Sequence, residues 1–127
     1  MLKLNRWFVI LFSALFLLSC SSKKNVSGKV INKNAHASYY ADKFNGRKTA
    51  SGERFNNRKL TAAHRKLAFG TKLKVTNVVN KKWVLVTVND RGPFIKSRDI
   101  DLSKEAFMQI TDNKNHGILT VTVEIIE

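Results

Sequence analysis

An aspartate at the end of an apolar stretch is the residue whose position first suggests chemistry. Residues 83–89 alternate in a pattern typical of a β-strand, and the apolar face that includes Val88 ends at Asp90. Gly92 and Pro93 then stop the strand, because glycine permits unusual backbone angles and proline has no N–H to donate. Burial on that face would disfavour the ionised carboxylate, as in a general acid that stays protonated near neutral pH. The residues alone leave open a second interpretation, in which Asp90 only caps the turn.

Other polar residues could contribute to a site but give weaker signals by themselves. Glu53 follows Gly52 in a polar loop, where a carboxylate is usually just solvated. His64 lies among alanines, where a histidine is more often structural than catalytic. Asp101 could serve only to hold the turn before Ser103. The histidines and acids show no spacing typical of a metal site, so we predict no metal and no cofactor.

The elements that must position these side chains are short strands with frequent turns. The hydrophobic pattern predicts extended segments at residues 36–41, 60–64, 71–76, 83–89, 100–102 and 118–126. Ser103 has the position of a helix N-cap, and a short helix should run to about Ile110. The turn at residues 77–82 should place Asn80 at a positive φ, since asparagine tolerates that conformation. This pattern indicates a mainly β protein, a compact barrel with one small helix.

The first residues of the chain have the pattern of a secretory leader. Lys3 and Arg6 precede an apolar run at residues 7–18, which is short for a membrane span and typical of a signal peptide. The run ends at Cys20 in a sequence that resembles the bacterial lipobox. We therefore expect a signal peptide at 1–19, a lipidated Cys20, a polar tether over 20–34 and one domain over 35–127. A signal peptide without lipidation and an uncleaved anchor are the alternatives.

The residues around Cys20 also indicate whether a disulfide can form and to which membrane the protein is sorted. Cys20 is the only cysteine, so no disulfide can form within the chain. Ser21 rather than aspartate follows it, which in the Gram-negative sorting pattern implies the outer membrane, with the domain facing the periplasm. Acyl chains on Cys20 would then anchor the protein to the membrane.

The charge balance is strongly basic and predicts an anionic partner. The formal net charge is +14 at pH 7, and removal of a leader with Lys3 and Arg6 lowers it by only two. Nucleic acid is the generic partner of such a surface, but a secreted lipoprotein does not normally meet it. Anionic cell-wall polymer or lipid headgroups fit better, although a solvated basic surface without a partner would show the same composition.

Three motifs occur in order along the presumed domain: TASGE at 49–53, LTAAH at 60–64 and NDRGPF at 89–94. With their spacing, and with IDLS at 100–103, the chain from about 35 to 125 resembles the rare lipoprotein A family. The resemblance implies a six-stranded double-psi β-barrel, related to the barrels of expansins and some endoglucanases. It also implies an endolytic peptidoglycan transglycosylase that cleaves MurNAc-GlcNAc strands, preferably without stem peptides, to 1,6-anhydro products.

The resemblance assigns roles to particular residues. The two carboxylates on which the family's activity depends fall on Glu53 and Asp90. His64 matches the LTAAH histidine and is expected in the substrate groove. Asp101 lies where expansin-type barrels keep an aspartate in their own site.

Further substrate-binding positions depart in part from the family pattern. Tyr39 and Tyr40 replace the usual Trp-Tyr pair, and one should face the core and the other the groove. Arg91 should point away from Asp90 and could contact an anionic group of the ligand. Ala41 stands where many members have glycine. Many members also append a glycan-binding domain for septal targeting, and since residues 1–127 include no such domain, we do not expect targeting by that route.

Two functions therefore compete at this point. In the first, Asp90 is the general acid and base and Glu53 stabilises the charge of the transition state, although these roles could be reversed. In the second, the same barrel binds peptidoglycan without cleaving it, as expansins bind glycan. In either case we expect a monomer that binds glycan strands and no nucleic acid.

Overall fold

The computed structural model describes residues 26–126, and these form a closed six-stranded barrel with one α-helix. The strands and the helix are β1 (Lys29–Tyr39), β2 (Thr61–Ala63), β3 (Lys72–Asn77), β4 (Trp83–Asp90), β5 (Ile100–Leu102), α1 (Lys104–Ile110) and β6 (Leu119–Ile126). A one-turn 3₁₀ helix at Asp42–Phe44 follows β1. The predicted fold class is confirmed, and each of the six predicted extended segments overlaps one strand.

The strand order around the barrel is β1-β5-β2-β4-β3-β6, and β6 closes it by pairing with β1. Two of the pairings, β1 with β5 and β2 with β4, are parallel, whereas the other four are antiparallel. Consecutive strands are therefore often not neighbours, and the long loops between them cross over one another. The loops at residues 40–60, 64–71 and 91–99 meet at the end of β4 where Asp90 lies.

Alternating side chains fill the barrel. Leu73 and Val75 of β3 face inward together with Val84, Val86 and Val88 of β4, and all five are almost fully buried. Fully burying a side chain of this size contributes about 1.5–3 kcal/mol, so this cluster supplies much of the stability of a small domain.

Helix α1 closes one side of the core. The Ser103 hydroxyl accepts a hydrogen bond from the Ala106 N–H at 3.4 Å and begins the helix, as predicted for an N-cap. Phe107 and Ile110 are fully buried against the barrel. No helix in the described residues is long and apolar enough to cross a membrane.

Two expectations about local structure are wrong. Strand β1 begins at Lys29 rather than near residue 35, because Lys29 to Ala37 pair with β6 through their main chain even where their side chains are exposed. Polarity alone indicated a tether, but strand pairing needs backbone groups and not apolar side chains. In the turn after β3, Lys81 and not Asn80 has the positive φ, at 63°. Asn80 is held elsewhere, since its amide donates to the Ile110 carbonyl at 2.9 Å. Residues 1–25, which include Cys20 and the proposed leader, lie outside the described residues.

Candidate active site

A row of three residues across β4, β2 and β5 sets the geometry of the site. Ala63 pairs with Asp90 on one side and with Asp101 on the other. Neighbouring strands lie about 4.8 Å apart, so the two aspartate Cα atoms are separated by roughly 10 Å. The row before it, through Ala62, belongs to the core, and successive residues of a strand face opposite sides. Both carboxylates therefore leave the sheet on its outer face, with only a methyl group between them.

Asp90 reaches that face through an irregularity in β4. Ala62 pairs with Val88 but Ala63 pairs with Asp90, so Asn89 is an extra residue and the register shifts by one. Asn89 is buried, with 4% of its surface exposed, immediately after the buried Val88. The predicted placement of Asp90 on the same face as Val88 is therefore wrong, because a bulge reverses the alternation beyond it.

Three donors surround the Asp90 carboxylate. The Tyr40 hydroxyl donates to Oδ2 at 2.6 Å, and the main-chain N–H groups of Ala50 and Arg91 donate to Oδ1 at 2.9 and 2.8 Å. Burial, followed by this hydrogen bond to Asp90, raises the pKa of the Tyr40 hydroxyl far above its ordinary value. Tyr40 therefore keeps its proton and acts as a fixed donor that orients the carboxylate.

Asp101 occupies a different environment although it faces the same space. It is 8% exposed, and burial raises the pKa of its carboxyl, with a smaller contribution of the same sign from Asp90. The guanidinium groups of Arg98 and Arg65 oppose this rise. Arg98 Nε lies 3.3 Å from Asp101 Oδ1, but neither atom has a hydrogen bond of acceptable geometry. A long hydrogen bond from Arg98 Nη2 to Asp101 Oδ2, at 3.5 Å, joins the two side chains instead.

Glu53 is brought to the same end of the barrel by the loop that carries TASGE. The loop is fixed to β4 because the Ser51 N–H donates to the Asn89 carbonyl at 3.2 Å, next to the bond from Ala50 to Asp90. The Asn89 amide then donates to Glu53 Oε2 at 3.3 Å. The exposed Glu53 carboxylate therefore lies beside the residue that precedes Asp90. The two carboxylates are 37 positions apart in the sequence.

The surroundings of His64 favour the neutral form of its imidazole ring. Its Nδ1 accepts the N–H groups of Lys66 and Leu67, both at 3.1 Å, and its main-chain N–H donates to the Asp90 carbonyl. Burial, and then the charges of Arg65 and Arg91, lower the pKa of the imidazole. The ring is therefore neutral with its proton on Nε2, which leaves an N–H that a ligand could accept.

The remaining predicted residues serve the scaffold of the site. Arg91 donates to the Leu67 carbonyl at 2.7 Å and stacks on Phe69 at 3.9 Å, so its guanidinium braces the loop after β2. Tyr39 packs on Phe107, with 4.7 Å between ring centroids, and joins the core. Tyr40 contacts Asp90 instead, so the two tyrosines divide between the core and the site as expected.

Three residues that sequence reasoning did not single out contribute to the site. Asn89 holds Glu53, Arg98 pairs with Asp101, and Ala63 leaves space between the aspartates. Both Asn89 and Ala63 could have been noticed from motifs, since Asn89 begins NDRGPF and Ala63 precedes the histidine of LTAAH. Within residues 26–126, no group of three or more histidine, cysteine, aspartate or glutamate side chains could hold a metal ion.

The fold and the site together define a double-psi β-barrel with carboxylates at the end of β4. A family model described as lytic transglycolase matches residues 32–123. The chain belongs to this family, and the rare lipoprotein A resemblance predicted from its motifs is confirmed by its relatives.

Among the curated relatives are proteins named RlpA. The "probable endolytic peptidoglycan transglycosylase RlpA" of Treponema pallidum is 50% identical over 97 residues, which are 76% of this chain and 30% of that protein. The "endolytic peptidoglycan transglycosylase RlpA" of Rickettsia felis is 47% identical over 79% of this chain and 45% of its own length. The Campylobacter jejuni protein of that name is 51% identical over 71% of this chain and 32% of its own length. The chain thus spans less than half of these relatives.

Solved structures share the barrel. The Streptomyces papain inhibitor superposes with a TM-score of 0.61 at 19% identity, covering 80% of this chain and all of its own. A mutant Clavibacter michiganensis expansin in complex with cellohexaose gives a TM-score of 0.60 at 22% identity, covering 75% of this chain and 50% of its own. At such identities the likeness concerns the fold alone.

Proposed function

We propose that this chain is an endolytic peptidoglycan transglycosylase, which cleaves between MurNAc and GlcNAc and leaves 1,6-anhydro-MurNAc ends. The observation that carries the proposal is the meeting of Glu53, Asp90 and Asp101 at one end of the barrel. Membership of the lytic transglycolase family and the names of the relatives support it.

In the proposed reaction Asp90 serves first as acid and then as base. It protonates the oxygen that leaves the anomeric carbon, and the bond between that carbon and the oxygen breaks. The C6 hydroxyl of the same muramyl residue then attacks the carbon and returns its proton to Asp90. The new bond closes the anhydro ring, so no water is consumed and Asp90 ends in its starting state.

The neighbouring groups supply orientation and charge. Tyr40 and the Ala50 N–H fix the Asp90 carboxylate, so that its proton can be aimed at one ligand atom. Glu53 stabilises the positive charge that develops on the sugar. Asp101, whose pKa is raised by burial, faces Asp90 across Ala63.

The substrate-binding roles of the other residues remain part of the proposal. His64 can donate from Nε2 to a sugar hydroxyl, because its Nδ1 is already occupied. Tyr40 presents its ring at the site, whereas Tyr39 and Arg91 act by supporting the core and the loop after β2. The basic surface suits strands that carry the free lactyl carboxylate of MurNAc, as strands without stem peptides do.

The test is digestion of glycan strands prepared from sacculi by removal of the stem peptides, with anhydro-ended glycan fragments measured by mass spectrometry. We expect release by the wild-type protein and a loss of at least a hundredfold in Glu53→Gln and Asp90→Asn. Release by both variants at the wild-type rate would overturn the site. Binding of wild type to these strands without release would instead favour a glycan-binding module, which the shared fold with an expansin also allows.

We also propose that Cys20 is lipidated and that the protein is anchored in the outer membrane as a monomer facing the periplasm. The apolar run before Cys20 and Ser21 after it support this assignment. Metabolic labelling with a clickable fatty acid should modify the wild-type chain and not Cys20→Ser. Labelling of both, or of neither, would contradict lipidation at this residue, and membrane fractionation would test the location.

A further inference from the structure

An exposed aromatic side chain lies in the loop between β4 and β5, close to the candidate active site. Phe94 is 85% exposed, the highest value among the large hydrophobic side chains of the described residues, and Ile95 beside it is 50% exposed. The two form a small apolar surface that contributes nothing to the core. An aromatic ring left in water at the edge of a site is a candidate for ligand contact.

The loop that carries Phe94 is braced from below by an arginine of the preceding loop. Arg65 Nε donates to the Pro93 carbonyl at 2.7 Å, and its Nη2 donates to the Ile95 carbonyl at 3.2 Å. The same nitrogen also contacts the carbonyl of Arg98. Because one guanidinium holds three carbonyls of the loop, Phe94 is presented from a fixed backbone.

The ring also rests on the chain beside it. A Cβ atom placed on Gly92 would lie 3.6 Å from the Phe94 ring, which is an ordinary contact distance, so the ring lies beside the backbone of Gly92. Arg65, Phe94, Ile95 and Lys96 line a shallow groove of about 340 Å³. Its lining combines an aromatic surface with two cations and includes no carboxylate.

The position of this groove relative to Asp90 indicates what could occupy it. Phe94 lies four positions after Asp90, and an extended chain of that length spans at most about 14 Å. A glycan strand with one bond at Asp90 spans several sugar units and is therefore long enough to reach a groove within that distance. Sugar rings have an apolar face of C–H groups, and each MurNAc adds a carboxylate that Lys96 could attract.

We propose that Phe94, Ile95 and Lys96 form an accessory subsite for a sugar unit of an anionic glycan, next to the units bound at Asp90. The Phe94 ring takes the apolar face of the sugar, and the Lys96 ammonium attracts its carboxylate. The inference rests on the proposed function in one respect, since it assumes that the strand runs through the Asp90 site.

The test measures binding of soluble glycan strands without stem peptides to the full chain, by calorimetry or fluorescence anisotropy. Phe94→Ala should weaken binding on the order of tenfold, whereas Phe94→Trp should retain it, because an aromatic face remains. Val79→Ala is the matched control, since Val79 is also apolar and 84% exposed but lies at the opposite end of β4. It should leave the affinity unchanged.

The outcomes separate this subsite from the cleavage reaction. Unchanged affinity in Phe94→Ala, with normal release of anhydro products by wild type, would overturn the subsite and leave the proposed function intact. Weaker binding in Phe94→Ala, with no release by wild type, would support the subsite and contradict the enzyme. If Phe94→Ala lost binding only to vesicles of anionic lipid, the loop would be a membrane contact and the subsite would be overturned.

Discussion

The two ends of β4 use asparagine side chains in opposite ways. At its beginning, Asn77 and Asn80 both donate to the Ile110 carbonyl, at 2.8 and 2.9 Å, and so cap the end of α1. Their own oxygens accept the N–H groups of Val79 and Lys82. At its far end Asn89 donates to Glu53, but its oxygen is buried without a partner.

The same contrast extends to the charged groups. In the described residues four buried side-chain atoms lack a hydrogen-bond partner, and three belong to Asn89, Arg98 and Asp101 at the Asp90 end. The fourth belongs to Thr61 of β2. Buried polar groups are normally satisfied, since leaving one unpaired costs about 1–3 kcal/mol. The side chains at the Asn77 end are thus hydrogen-bonded, whereas the Asp90 end contains unpaired buried polar atoms that lower its stability.

Substituting one carboxylate at each end of β4 should show the largest difference in activity between the two ends. Asp101→Asn should reduce turnover on glycan on the order of a hundredfold or more, because a titrating group that faces Asp90 is lost. Asp112→Asn is the matched control at the Asn77 end. Its pair with Lys82, at 2.9 Å, is exposed to solvent and contributes little to stability, so activity should not change. Steady-state rates and melting temperatures of both variants test this, and equal activities would contradict it.

Substitution of Asn77 should mainly affect stability, whereas substitution of Asn89 should mainly affect activity. Asn77→Ala should lower the free energy of unfolding by about 1–3 kcal/mol, since Asn77 is 3% exposed and fully bonded, with the rate constant for cleavage unchanged. Asn89→Ala should cost less stability, because it also removes an unpaired oxygen, but should lower the rate by releasing Glu53. Urea unfolding of both variants measures the change in stability, and cleavage assays measure the change in rate. A larger stability loss in Asn89→Ala than in Asn77→Ala would reverse the comparison.

A smaller effect is expected on the dependence of stability on pH. The pKa of His64 is lowered below its ordinary 6.5, so the unfolded state binds the proton more readily than the folded state. The contribution of His64 to stability is therefore complete above about pH 6.5 and is lost as the pH falls through the lowered value.

His64→Asn provides the matched variant for this effect. Asparagine can offer its oxygen to the N–H groups of Lys66 and Leu67 but cannot be protonated in this range. Chemical unfolding of wild type and variant from pH 4 to 8 should show that the difference in stability changes in favour of the variant on acidification. A difference in stability that does not change with pH would contradict the lowered pKa of His64.

Much of the fold could be predicted from the sequence because the local sequence patterns match the burial of the side chains in the structure. The alternation in β3 and β4 and the cap at Ser103 each reflect one local preference, and each is found in the structure. The motifs also placed Glu53, Asp90 and His64 at one end of the barrel, although they gave no contacts.

The remainder depended on long-range pairing. The bulge at Asn89 follows from how β2 pairs with β4, and the sequence of β4 alternates without interruption through that point. For the same reason Ala63 was not recognised, because its importance lies in having Asp90 and Asp101 as partners on separate strands. Arg98 and Asp101 are three residues apart, but the sequence did not reveal that Asp101 would be buried or that each would have a side-chain atom without a hydrogen bond.

The most direct test of cleavage by Asp90 uses water labelled with heavy oxygen. Because the C6 hydroxyl of the sugar attacks the anomeric carbon, products of the wild-type protein on glycan without stem peptides should carry anhydro ends and no label. Asp90→Asn should give neither anhydro ends nor labelled reducing ends above background. Labelled reducing ends, which require attack by water, would contradict the proposed transglycosylase.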